Sequence, residues 1–206
     1  MSTLGTHASL VVAILLIALI AALAGWLIHH QYQSRRLRRR FGPEYRRTLS
    51  ELGSRSKAES ELMAREKRVE SFAIVPLAPA DAARFSSAWK AVQGRFVDDP
   101  RGAVSEADRL VRELMQARGY PMGDFERLSA DISVHHPRVV QPYRAAQEIA
   151  VRSEQGQAGT EELRKAVTYY RALFAELLDE SEAHRDEEKP HRKFGFHRNN
   201  GHLRAQ

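Results

Sequence analysis

The chain has 206 residues, no cysteine and a net charge of +6 at pH 7. Lacking thiols, it has no disulfides, thiolate zinc sites, cysteine-held iron–sulfur clusters or Cys nucleophile. The charge is uneven: residues 29–71 carry 12 Lys and Arg against 6 Asp and Glu, residues 72–180 a net −2 and residues 181–206 a net +2. A nucleic-acid-binding domain carries its basic patch on the folded module, so nucleic acid is not an expected partner.

Residues 1–9 form a short segment without Lys or Arg, followed by Leu10 to Ile28, LVVAILLIALIAALAGWLI. Nineteen uncharged residues at 1.5 Å each span roughly 28 Å, close to the hydrocarbon thickness of a bilayer. A transmembrane helix is predicted over 10–28, with Leu10, Ile17, Leu23, Trp26 and Ile28 as anchoring residues. A basic juxtamembrane segment, 29–43, follows, and its Arg35, Arg36, Arg38, Arg39 and Arg40 are the expected contacts to lipid headgroups. Arginine-rich flanks stay inside, which puts the N-terminus outside the cell (inner) membrane and the C-terminal domain in the cytoplasm. Ala22-Leu23-Ala24 has the small-x-small form of a signal-peptide cleavage site, but the positive n-region and short apolar core of such a peptide are missing.

Phe41-Gly42-Pro43 breaks the backbone. Residues 44–72 are rich in helix formers with sparse apolar positions: Tyr45, Leu49 and Leu52, then Ala58, Leu62, Val69 and Phe72 across Gly53. A charged, solvated stalk helix is expected, interrupted at Gly53 and supported by Glu51/Arg55 and Glu61/Arg65 pairs. Its coiled-coil potential is weak, since Arg65 sits on the seam, and the oligomeric state is left open. Residues 73–79, AIVPLAP, read as an extended linker.

From 80 to 179 the pattern is an antiparallel helical bundle of about five helices. Phe85, Trp89, Val92 and Phe96 share one helical face. Asp99 N-caps the next helix with Pro100 in its first turn; Val104, Ala107, Leu110, Val111, Leu114 and Met115 form its inner side. Gly119 is placed for a left-handed C-terminal cap. Asp124 caps a short helix through Ile132, and Val139 to Ala150 forms another whose Pro142 either lies in the first turn or kinks it. Thr160 caps the last helix, with Leu163, Val167, Tyr170, Phe174, Leu177 and Leu178 inward. Residues 180–206 read as a disordered polar tail. The fold class is all-α: transmembrane helix, stalk, small bundle.

Phosphate-loop, dinucleotide, zinc-protease and nucleophile-elbow motifs are absent. The polar candidates are His135 and His136, two imidazoles near Asp131, and Asp98 and Asp99, near Asp108 and Glu113. Adjacent helical residues point about 100° apart, so a helix-terminal histidine pair is the simpler reading of the first, and capping of the second. The tail histidines His184, His191, His197 and His202 are irregularly spaced. The aromatic residues Phe85, Trp89, Phe96, Tyr143, Tyr170 and Phe174 are read as core, with a ligand pocket as the alternative. No catalytic, cofactor-binding or metal-binding residue is assigned, and no cofactor is expected.

Residues 95–150 and 160–178, through RFVDDP, RGYP, DFE and YRALF, resemble an uncharacterised bacterial family of single-pass membrane-anchored helical proteins. Pro142 departs from its pattern, in which the corresponding helix is unbroken. The resemblance implies anchor, stalk and helical domain, and no catalytic residue. The expected function is a membrane-tethered cytoplasmic module for protein–protein interaction or scaffolding. The alternatives are a bundle binding a small apolar ligand or lipid, and an enzyme.

Overall fold

A single helix, α1 (Ser2–Phe41), carries the chain from the apolar run into the basic collar without a break. The computed structural model describes the backbone of residues 2–188 and the side chains of 16–17, 19–25, 27–28 and 31–179. Among the described residues no helix is long and apolar enough to cross a membrane. Of the span 10–28, residues 10–15, 18 and 26 lie outside the described side chains, Leu10 and Trp26 among them.

The described residues are helical and contain no strand. After a turn at Gly42, α2 (Pro43–Leu52) opens with Pro43 in its first turn. Gly53 then reverses the chain. Its φ of 63° is a left-handed conformation, and its N–H returns to the Leu49 carbonyl at 2.9 Å, an arrangement that suits a residue without a Cβ. The helix that follows, α3 (Arg55–Glu70), lies against α2.

The expectation of a solvated stalk over 44–72 is corrected here. Glu44, Tyr45, Thr48, Ala58, Glu59, Leu62, Arg65, Glu66 and Val69 are all buried. Leu37 and Phe41 from the end of α1 join Tyr45, Leu62, Val69 and Val134 in a small second core. The seam considered for a coiled coil is therefore covered by the chain's own helices. The i,i+4 pairing also differs: Glu61 pairs with Arg65 at 3.0 Å, but Glu51 pairs backward with Arg47 at 2.7 Å and Arg55 forward with Glu59 at 2.9 Å. The break at Gly53 separates Glu51 from Arg55, so each takes a partner on its own helix.

The larger core belongs to α4 (Pro79–Arg95), α5 (Pro100–Ala117), α6 (Phe125–Ile132), α7 (Val140–Glu154) and α8 (Thr160–Glu188). Its residues include Phe85, Trp89, Leu110, Leu114, Tyr143, Tyr170 and Phe174. Asp99 accepts the Gly102 N–H at 2.9 Å and Asp124 the Arg127 N–H at 2.8 Å, as helix N-caps do. Pro142 lies in the first turn of α7, where its missing N–H leaves no bond unmade. Two expectations shift at α8. Thr160 is its first helical residue, and it is Glu162 that reaches back to the Gly159 N–H at 3.0 Å. The helix also continues to Glu188, beyond the expected end at 179; the remainder of the predicted tail, 189–206, lies outside the described residues.

The segment 73–78 is extended but fastened. Arg118, 2 % exposed, donates from Nε to the Val75 carbonyl at 3.0 Å and from Nη1 to the Leu177 carbonyl. Beside it Gly119 has φ 90°, and a Cβ there would stand 2.3 Å from the Ala73 carbonyl oxygen. A side chain at 119 meets both backbone strain and a collision with main chain, which cannot swing aside. Arg118 and Gly119 thus tie α5, α8 and the segment entering α4 at one point.

Candidate functional site

The polar residues singled out by sequence do not converge. Asp99 is engaged as a cap, and Asp98 is exposed in the turn before α5. His136 is buried, with Nδ1 3.0 Å from Glu176 Oε2, whereas His135 is exposed, with Nδ1 3.2 Å from the Tyr120 hydroxyl. Their rings are 6.4 Å apart at 86°, so they address different neighbours. Asp131 pairs with Arg68 at 2.6 Å instead. Among the described residues no group of three His, Asp or Glu is placed to hold a metal ion. Trp89 stacks on Phe174 with centroids 4.8 Å apart, and Phe85, Trp89 and Phe174 are each at most 5 % exposed. These rings fill the space in which a ligand would lie.

The first surface with a distinct chemistry is on α1. Leu16, Ile17, Leu19, Ile20, Leu23, Leu27 and Ile28 are 47–67 % exposed, including three of the five predicted anchoring residues. Further along, Tyr32, Arg35, Arg36, Arg39 and Arg40 line one depression of about 510 Å³. Their spacing of three and four keeps them on one helical face. The opposite face, Ser34, Leu37 and Phe41, is buried. Arg36 and Arg40 reach Glu66 at 3.3 and 3.0 Å, and Arg38 lies over the Tyr45 ring, 5.3 Å from its centroid. The collar therefore divides: part of it also braces α1 against α3.

The buried carboxylate of Glu59 fixes that bracing. It accepts from Ser34 on α1, from the Tyr45 hydroxyl on α2 at 2.8 Å and from Arg55 on α3 at 2.9 Å. Burial pushes this carboxyl's pKa up, but the hydrogen bonds from Ser34, Arg55 and Tyr45 outweigh it, so the net shift is downward. A depressed folded-state pKa contributes stability that is complete above the ordinary carboxylate range and is lost as pH falls through the folded value. The stability difference between the parent and Glu59→Gln should accordingly shrink on acidification from about pH 6 to about pH 3. Urea denaturation at several pH values measures it, and a constant difference would refute the assignment.

The second surface is the joint between the α1–α3 unit and the bundle, which sequence reasoning missed. Glu44, 1 % exposed, lies between two guanidiniums: Arg65 at 3.1 Å and Arg144 at 3.3 Å. Its other oxygen accepts from Gln141 Nε2 at 2.7 Å. Arg144, 7 % exposed, continues to Glu126, which Arg47 also approaches at 3.4 Å. Arg47, Phe125, Glu126, Gln141, Arg144, Ala145, Gln147, Glu148, Val151 and Arg152 line a cleft of about 580 Å³ between α2, α6 and α7. Arg47 Nη1 and Arg144 Nε are buried there without a hydrogen-bond acceptor, a state that costs about 1–3 kcal/mol per group. One signal was available: Arg65 on the seam of a helix that otherwise shows small and apolar residues there marks a charge that must be answered from elsewhere.

In the bundle, burial raises the pKa of the Tyr143 and Tyr170 hydroxyls, with the nearby Asp108 charge adding to it. Both remain neutral, and they serve as packing groups: their rings meet edge to face 6.0 Å apart.

No protein family, curated protein or solved structure compared with the chain matches it.

Proposed function

We propose that the protein is a membrane-tethered helical module for protein–protein interaction, held by residues 10–28 with the N-terminus outside and the body in the cytoplasm. The observation that carries the reading is the layout of α1, in which one uninterrupted helix passes from a 19-residue uncharged run to an arginine-lined face and then into the folded body. The exposed apolar residues of α1 support an anchoring role, because contiguous apolar surface left uncovered by a protein's own fold marks contact with a membrane or another protein. The arginine face follows at headgroup depth, where each basic residue near anionic lipid contributes about 1 kcal/mol. The lack of any catalytic motif in the sequence, the divergent His135 and His136, and the stacked Trp89 and Phe174 favour an interaction module over an enzyme or a carrier of apolar ligands. The resemblance of residues 95–150 to single-pass bacterial proteins points the same way.

Affinity purification of the detergent-extracted full-length protein from several growth conditions tests the reading. Recurrent recovery of the same second protein is the expected result. Recovery of the protein alone in every condition would overturn it. A reporter fused at the C-terminus, active only in the cytoplasm, tests the orientation.

A further inference from the structure

We infer that the cleft between α2, α6 and α7 receives an acidic segment of a partner protein, whose carboxylate takes the place now held by Glu126 on Arg47 and Arg144. The inference rests on the interaction-module reading and gives that module a docking surface and a partner chemistry.

The geometry already displays the recognition. Glu126 is the internal occupant: its carboxylate lies on Arg144 and 3.4 Å from Arg47, although its side chain is 67 % exposed. An exposed carboxylate on a guanidinium pair is weakly held and readily exchanged for an equivalent one. The receptor does not collapse when the occupant leaves. Arg144 is held from behind by the buried Glu44, and Arg47 by Glu51 at 2.7 Å. Two buried donors, Arg144 Nε and Arg47 Nη1, have no acceptor in the present arrangement. A carboxylate entering from outside, free of the α6 backbone, can put one oxygen on Arg144 Nη1 and the other on Arg47 Nη2, the two donors that Glu126 meets with a single oxygen.

The rest of the cleft suits a peptide. Phe125, Ala145 and Val151 supply apolar wall between the charged groups. Arg152 stands eight residues beyond Arg144 on the same helix, about 12 Å along its axis, and pairs with Glu162 across side chains that are 44 % and 42 % exposed. Exchangeable arginines at both ends therefore match two acidic residues about four apart in an extended strand, at roughly 3.3 Å per residue. Glu126 and Glu148 on the rim disfavour a dianion such as phosphate.

The full-length protein in detergent micelles is titrated with a fluorescent peptide carrying two glutamates four residues apart around leucine and alanine. Glu126→Gln removes the internal competitor and should tighten binding about fivefold to tenfold. Arg47→Gln and Arg152→Gln should each weaken it several-fold. The same peptide with glutamines should not bind. In the parent protein the Arg144 Nε–H resonance should move on peptide addition, a readout that needs no variant and no disruption of Glu44. Unchanged affinity in all three variants overturns the inference, as does equal binding of the glutamine peptide. Glutarate or inorganic phosphate competing at the peptide's own concentration would assign the cleft to a free anion and also overturn it. A partner that still co-purifies with Arg47→Gln/Arg152→Gln would leave the module reading standing while removing this surface from it.

Discussion

Replacing Glu44 by alanine should destabilise the folded body by about 3 kcal/mol, because Arg65 and Arg144 lose the one buried carboxylate they share and keep only the exposed Glu61 and Glu126. Arg65 and Arg144 are each 7 % exposed, and both lean on the same Glu44 oxygen. Neither can rotate into water without opening the contact of α2 with α3 or with α7. Glu66 provides the comparison. It is buried too, but its partners Arg36 and Arg40 have side chains 59 % and 38 % exposed, so they regain hydration when it is removed. Glu66→Ala should therefore cost less than about 1 kcal/mol. Urea denaturation of both variants in detergent, followed by helical circular dichroism, measures the contrast. Equal effects would show that Glu44 does not hold the joint.

Placing arginine at both Leu16 and Ile20 should abolish membrane retention. Each substitution near the middle of a spanning helix costs about 2.5–3.5 kcal/mol, and the pair shifts the equilibrium by roughly four orders of magnitude. Leu16 and Ile20 are 54 % and 65 % exposed on α1, so the change removes nothing from the packed cores. The parent protein should stay with membranes through an alkaline carbonate wash, and the double variant should leave them or be degraded. Arg39→Gln, on the same helix beyond the apolar run, should remain membrane-bound. A parent protein released by carbonate, or a double variant that resists it, would remove the anchor from the proposed function.

The contrast between these two variants reflects what could be read from sequence. Helix positions in the bundle were legible because their causes are local. The apolar period of α5, the caps Asp99 and Asp124 and the left-handed Gly119 each involve residues within a turn or two of one another. The phrases RFVDDP, RGYP, DFE and YRALF hold the same kind of residue. Pro100, Asp124 and Gly119 start or stop helices, and Tyr170, Leu173 and Phe174 fill the core. Those phrases consequently speak of architecture and carry no chemistry. The aromatic residues weighed as a pocket lining proved to be mutual packing partners, a distinction that depends on which helix faces which.

Residues 44–72 show where local reasoning fails. Their apolar positions are few and their charges many, and a helix in isolation with that pattern is solvated. In the folded chain Glu44 finds Arg65 at a separation of 21 residues, Gln141 at 97 and Arg144 at 100. No periodicity encodes such pairings. They also decide the burial, because a charged side chain leaves water only when a partner of opposite charge is held in place to receive it. By itself the sequence determined the bundle's helices, most of their ends and the uncharged run over residues 10–28. Only the tertiary structure decided that the charged stretch folds back as a hairpin onto the bundle, and that Arg47, Arg144 and Glu126 share one cleft. Hydrophobic period and capping act over a few residues, whereas the answering of a buried charge is settled across the whole fold.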